Sequence, residues 1–258
     1  MAVVSAITTT PVKGMRMLAR DAVRIERDGV ADNRCFYVVD ARSRMVNGKQ
    51  VRGLSAIVAR YDAAAGTLEL EFPDGSVAGG AVALGDWLDT RFFSSPRRAQ
   101  LVGGPFSHAL SEHFGQPLRL VRPELGAVDR GAAGAVSLIA RASLARLERE
   151  AAGAVDARRF RMLVEVDGLD AHAEDRWVGS EVVIGEARVR MRGHVGRCLV
   201  TSQDPDTGAA DLPTLELLRG YRDGLDTTEP LAFGIYGEVL APGTVRVGDR
   251  VASAPLPG

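Results

Sequence analysis

Cys198 stands in the run His194-Val195-Gly196-Arg197-Cys198-Leu199-Val200-Thr201, just ahead of the turn Asp204-Pro205-Asp206-Thr207-Gly208. Positive charge from Arg197, with His194 near by, favours the thiolate, the form that attacks carbon or sulfur and ligates soft metals. The same thiol, in an apolar run, equally reads as a small buried hydrophobe. Val195 removes any two-thiol CxxC switch. In the turn, proline and glycine occupy the positions that turn geometry asks for, and the exposed Asp206 and Thr207 are expected to help line a pocket mouth.

A second group of residues is cationic. Lys13 lies in Pro11-Val12-Lys13-Gly14-Met15, Arg34 follows Asn33, and Arg161 follows Phe160, each at the end of a β-like run. Strand-end cations, with a glycine that lets the backbone come close, could converge on a phosphate. Arginines are common throughout the chain, so each also reads as an ordinary surface charge. The glycine-rich stretch 126–134 has neither GK[ST] nor GxGxxG spacing and is read as a linker. His172, Glu174 and Asp175 could in principle ligate a metal with His194 and Cys198, but the structural reading is preferred. His108 and His113, five apart, miss the helical metal spacing.

The elements that must position these residues are mostly strands. Short β-rich runs separated by turn chemistry recur at 3–9, 35–39, 56–61, 67–72, 118–121 and 160–166. Residues 61–67 read as a hairpin with a glycine-bearing loop, and Pro73-Asp74-Gly75 as another turn. Helices are expected at 106–114, at 143–151 with Ser143 as cap and Gly153 as terminator, and at 212–221 with Asp211 as cap. The composition break at 122–134 sets a boundary between two β units, 1–125 and 126–258.

Composition bounds the function. The 258 residues carry 32 Lys+Arg and 33 Asp+Glu, a net charge of −1, which disfavours a nucleic-acid-coating role. No run approaches the roughly 18 apolar residues of a membrane span, and the first residues lack a basic secretory n-region, so a cytoplasmic protein that binds no membrane is expected. Two cysteines, Cys35 and Cys198, can build neither a disulfide framework nor a four-thiolate iron–sulfur cluster.

Taken in order, these segments resemble the MOSC family, the molybdenum-cofactor sulfurase C-terminal domain, in its branch with an N-terminal β-barrel domain that includes the mitochondrial amidoxime reducing component. The N-terminal half of the resemblance rests on Pro11-Val12-Lys13-Gly14, Asn33-Arg34-Cys35-Phe36-Tyr37-Val38-Val39-Asp40 and Met45-Val46-Asn47-Gly48-Lys49-Gln50. The C-terminal half rests on Phe160-Arg161, Ala173-Glu174-Asp175-Arg176-Trp177, the Cys198 run with its turn, the helix near Leu215, and Gly243-Thr244-Val245-Arg246-Val247-Gly248-Asp249.

The resemblance implies a mainly β fold of two β-barrel-like units with a few peripheral helices. It implies a molybdenum cofactor (Mo-molybdopterin) with Cys198 as the metal ligand, and Lys13, Arg34, Lys49, Arg161 and Arg197 as cofactor-binding cations. The activity implied is reduction of N-oxygenated small molecules, with Asp206 and Thr207 beside the reacting centre and electrons from a separate donor protein. Two other functions stay open: a sulfur carrier bearing a Cys198 persulfide, and a scaffold repurposed for another small molecule. The sequence departs from the family at Gly14, Met162, Leu163 and Val195. Ala132, Ala133 and Gly134 stand where the amidoxime-reducing branch has an acid and hydroxyls that hydrogen-bond the cofactor.

Overall fold

The computed structural model of the chain describes residues 1–124, 126 and 129–254. Its largest unit is a closed barrel of seven strands. Around the wall run β13 (Val164–Asp167), β12 (Val136–Ala140), β16 (Ala232–Ala241), β15 (Ala187–Gly196), β14 (Glu181–Ile184), β18 (Arg250–Ala254) and β1 (Ala2–Thr9), which returns to β13. Strand β2 (Leu18–Arg20) extends the sheet beyond β1. The β12–β13 pair is parallel and the pairs β1–β13 and β1–β18 are antiparallel. A parallel pair needs a crossover, supplied by α2 (Arg141–Ala151).

Alternation along the strands makes the barrel. In β15 the side chains of Ala187, Val189 and Met191 are buried while Arg188, Arg190 and Arg192 point outward and pair with Glu181 and Glu238. The inward set joins Val4, Ile7, Leu138, Val164, Val182 and Ile235 in one core. The three-stranded sheet of β3 (Ala22–Glu26), β4 (Gly29–Val30) and β17 (Gly243–Arg246) adds Val23, Ile25 and Val245 to it.

The second unit stacks two open sheets. One has the order β5 (Tyr37–Asp40), β11 (Leu118–Pro123), β10 (Ser95–Val102), β9 (Leu84–Phe92); the other the order β6 (Val58–Asp62), β7 (Thr67–Glu71), β8 (Val77–Ala81). Helix α1 (Phe106–Phe114) packs Phe106 and Leu110 into their core beside Phe36, Leu54 and Leu70. Asp62 accepts the backbone N–H groups of Ala64 and Ala65, both at 2.9 Å, and so builds the 61–67 hairpin loop.

Several sequence expectations shift by local chemistry. Residues 160–166 are not one strand: Asp156 caps a 3-10 turn, Ala157–Phe160, and only then does β13 begin. Ser143 lies inside α2, where it donates to Glu174 at 2.7 Å and accepts from His172 N–H at 2.8 Å; Ala140 is the cap. Ala152, at φ 50°, ends that helix ahead of Gly153. The third helix, α3, spans Thr214–Arg222 with Pro213 at its cap, because Asp211 is engaged by Arg159 through two 2.6 Å bonds.

The boundary expected between residues 125 and 126 falls at Leu125, outside the described residues. The first strand crosses that division, since β1 is a stave of the barrel.

Candidate functional site

Three segments far apart in sequence are laid side by side by β1. Its end runs into Thr10, Pro11 and Lys13, which bond to residues 33–36: Arg34 N–H reaches Thr10 O at 2.6 Å and Lys13 N–H reaches Phe36 O at 2.8 Å. On the opposite edge, Thr8 N–H donates to Leu163 O at 2.9 Å, which brings the 158–162 segment alongside. Lys13, Arg34 and Arg161 thereby meet at one end of the barrel. There, β15 ends at Gly196, and Arg197 and Cys198 follow at the start of the 3-10 turn Leu199–Ser202.

Between these segments lies a cavity of about 440 Å³. Its lining includes Lys13, Arg34, Lys49, Arg161, Arg197 and Cys198, together with Arg130, Arg158 and Arg159: eight cations, against Asp129 as the one carboxylate among the described lining residues. Lys13 is paired with Asp129, Arg130 with Glu229, Arg158 with Asp156 and Asp206, and Arg159 with Asp211. Arg34, Arg161 and Arg197 form no ion pair among the described residues.

Backbone carbonyls fix these three guanidinium groups instead. Arg34 Nη2 donates to Arg161 O at 2.7 Å, and Arg161 Nη2 to Met15 O at 2.6 Å. Arg197 reaches Phe160 O at 2.9 Å and Phe233 O at 2.8 Å and lies over the Phe160 ring. Neutral carbonyls orient a cation but do not cancel its charge, and burying several uncompensated cations together is expensive. Burial pushes Lys13 down to about 8, with Arg34 and Arg161 adding to the effect and Asp129 opposing it. Burial likewise lowers Arg161 and Arg197 to about 9 and depresses Arg34. Lys13, Arg161 and Arg197, at about 8 to 9, keep their protons at neutral pH and gather positive charge on the cavity wall, an arrangement that can hold an anion.

The backbone is strained at the same place. Arg34, Phe93 and Arg161 all have φ of 54°, a region that costs a non-glycine residue about 1–2 kcal/mol. Gly14 (φ +94°) carries no such penalty.

Cys198 is exposed and its residue lines the cavity, so the alternative of a buried small hydrophobe is corrected. The other cysteine, Cys35, is buried, its thiol pushed up to about 11 by desolvation. Asp206 and Thr207, expected at the mouth, do not line the cavity; only their neighbour Pro205 does. Asp206 is held by Arg158 at 2.7 Å and Arg16 at 3.2 Å, while the Thr207 hydroxyl closes the turn on Asp204 at 2.8 Å. Ala132 and Ala133 are not in the lining, and Gly134 is.

His194 also stands apart from the cavity, bonded to Thr228, with Asp175 at 3.9 Å. Glu174 is taken by Ser143 and the Ala140 N–H, and no metal-holding group of His, Cys, Asp or Glu occurs among the described residues. His113 packs on Phe72, and His108 lies in the open.

Sequence reasoning missed Asp129, Arg130, Arg158, Arg159 and Phe93. The run Arg158-Arg159-Phe160-Arg161 was a visible signal, three cations in four positions. Nothing local marks Phe93 or Asp129, which depend on the hairpin and the loop that carry them.

The mouth joins both halves of the chain. Gln203 Nε2 donates to Gly48 O at 2.8 Å, and Gly208 (φ +73°) lies so close to Gly53 that a β-carbon there would run into its backbone. No helix of the described residues is long and apolar enough to cross a membrane.

Comparison with known proteins gives two family matches: the MOSC domain over residues 111–252 and the MOSC N-terminal beta barrel domain over residues 1–102. The mitochondrial amidoxime-reducing component 1 of Mus musculus is 41% identical over 113 residues, which is 41% of this chain and 31% of that protein. Its Homo sapiens counterpart is 35% identical over 121 residues, 44% of this chain and 35% of that protein. The Xenopus laevis protein of the same name is 25% identical over 282 residues, 96% and 81%. In the first two, the match spans about a third of the relative's length.

Proposed function

Because the chain belongs to the MOSC-domain family, we propose that it is an oxidoreductase that reduces N-oxygenated small molecules with a molybdenum–pterin cofactor. One observation carries this reading: an exposed thiol and three half-buried arginines without carboxylate partners among the described residues line one cavity. The arginines and Lys13 fit a phosphate, for which hydrogen bonds from charged donors are strong. The thiol fits a soft metal. The names of the amidoxime-reducing relatives agree with the chemistry.

In this reading Lys13, Arg34 and Arg161 hold the phosphate, Arg197 flanks the pterin and Cys198 ligates the metal. When bound, the cofactor supplies two-electron exchange at an oxygen. The overall conversion takes an N–OH compound, two electrons and two protons to an N–H compound and water. The chain's residues orient the anion through fixed guanidinium groups, and Lys13 holds its proton at Nζ at neutral pH. Asp206 and Thr207 are given no part in the chemistry, being committed to the turn and to Arg158. Cys35 is buried and takes no part, and this reading assigns electron delivery to a separate donor protein.

Side-chain hydrogen bonds are missing at Ala132 to Gly134. Each neutral bond is worth about 0.5–1.5 kcal/mol, less than the charged contacts that remain. A persulfide carrier needs the thiol but has no use for so many cations around it, and the cavity's charge therefore favours the reductase.

The test is molybdenum and pterin content after expression in a molybdenum-replete host. Wild type is expected to carry both, and Cys198→Ser to lose the metal while keeping its unfolding transition. Wild-type protein without molybdenum or pterin, with Cys198 intact, overturns the proposal.

A further inference from the structure

Lys13, Arg34, Arg161 and Arg197 serve the cofactor in the reading above, which leaves two exposed lining residues that it does not use. Phe93 opens the two-residue loop between β9 and β10, where Phe92 pairs with Ser95. A positive φ at that position is normally met by glycine or asparagine. Here a phenylalanine takes it, at φ 54° and 54% exposed, with its ring edge on Phe92 and the Lys13 amine 5.6 Å from its centroid. An apolar ring held in water by a strained backbone, on a cavity wall, gains little from folding.

The second residue is Lys49, exposed on the cavity's lining. Its loop is fixed: the Lys49 N–H donates to Asn47 Oδ1 at 2.9 Å, Val51 N–H to Asn47 O at 2.9 Å, and Gln203 holds Gly48. Arg158 and Arg159 at the same cavity are neutralised by Asp156, Asp206 and Asp211, whereas Lys49 forms no ion pair among the described residues. A fixed backbone thus presents one uncompensated charge on the lining of the same cavity as one uncovered ring.

From this juxtaposition we infer that the mouth selects substrates with a planar apolar body and an anionic substituent, Phe93 covering the body and Lys49 meeting the anion. The inference rests on the reductase reading, since it names the substrate class of that site. It assigns Lys49 to substrate rather than to cofactor, and makes Phe93 a specificity residue.

The test compares benzamidoxime with 4-carboxybenzamidoxime on the cofactor-loaded protein, by calorimetric binding with reductant withheld and by KM with an artificial donor. Wild type is expected to favour the carboxylate compound about threefold to fivefold, the range of an exposed ion pair. That preference should vanish in Lys49→Ala, invert in Lys49→Glu and persist in Lys49→Arg. Phe93→Ala should weaken both compounds about fivefold, as loss of an aromatic contact does, and Phe93→Tyr should restore them. Equal wild-type affinity for the two compounds, or a preference unmoved in Lys49→Ala and Lys49→Glu, overturns the inference and leaves the reductase standing. Loaded wild-type protein that binds and reduces neither compound removes both.

Discussion

Raising the pH from 7.5 to 8.5 is expected to weaken inorganic phosphate binding by about threefold, through Lys13. Its amine is brought from 10.5 to about 8 chiefly by burial, with Asp129 as its partner and Arg34 and Arg161 near by. If phosphate binds only the protonated amine, the apparent Kd scales with one plus the ratio of neutral to charged lysine. That factor rises from about 1.3 to about 4 over the interval. Arg161 and Arg197, near 9, add to the loss only at higher pH. Isothermal calorimetry of the cofactor-free protein reads the slope once the Kd is expressed per phosphate dianion, because phosphate itself titrates over the same interval. Lys13→Met should bind more weakly and lose most of that slope. A wild-type Kd that is flat across the interval, or an unchanged slope in Lys13→Met, refutes the reasoning. Stability moves with the same proton. The unfolded chain binds more protons than the native one between about pH 8 and 10.5, so unfolding free energy rises with pH across that window. The penalty, about 3 kcal/mol, is complete below it.

Other outcomes follow from single contacts. Arg161→Ala, which removes one uncompensated cation, should raise the phosphate Kd at least tenfold at neutral pH, a loss of about 1.5 kcal/mol or more; a change under twofold would place the anion elsewhere. Gly208→Ala, set against the Gly53 backbone at φ +73°, should lower stability by about 1–3 kcal/mol in chemical denaturation. Desolvation first, and Arg222 second, bring His172 down to about 4 from 6.5. The protein should therefore lose about 2 kcal/mol of stability as pH falls from 6.5 to 4, after allowance for partial exposure, and His172→Asn should flatten that limb of the curve. Asp206→Asn breaks pairs whose carboxylate is 44% exposed and should cost under about 1 kcal/mol by the same denaturation assay.

What sequence could reveal was set by how local the cause was. Alternation in β1, β7 and β11 is local, as is the Asp62 turn, and these were legible. The start of α2 was misplaced because Ser143 bonds to Glu174, 31 residues on, rather than to its own helix. Asp211 and Asp206 were misread for the same reason: each looks like a cap or mouth residue until Arg159 or Arg158 arrives from another segment. Phe160 and Arg161 were read into a strand because Phe160 is apolar, although Asp156 winds that segment into a 3-10 turn. The site's cations were legible one by one, but not that three would lack counter-charges, a property of assembly.

The barrel joins Ala2 to Val251, and Val3 to both Arg250 and Asp167. Contacts of such sequence separation are slow to form, since nearly the whole chain must be confined before the ring can shut. A ribosome-bound chain short of residue 250 has its first strand waiting with one flank unpaired. Severing residues 2–9 would leave β13 and β18 as raw edges inviting strands from other molecules.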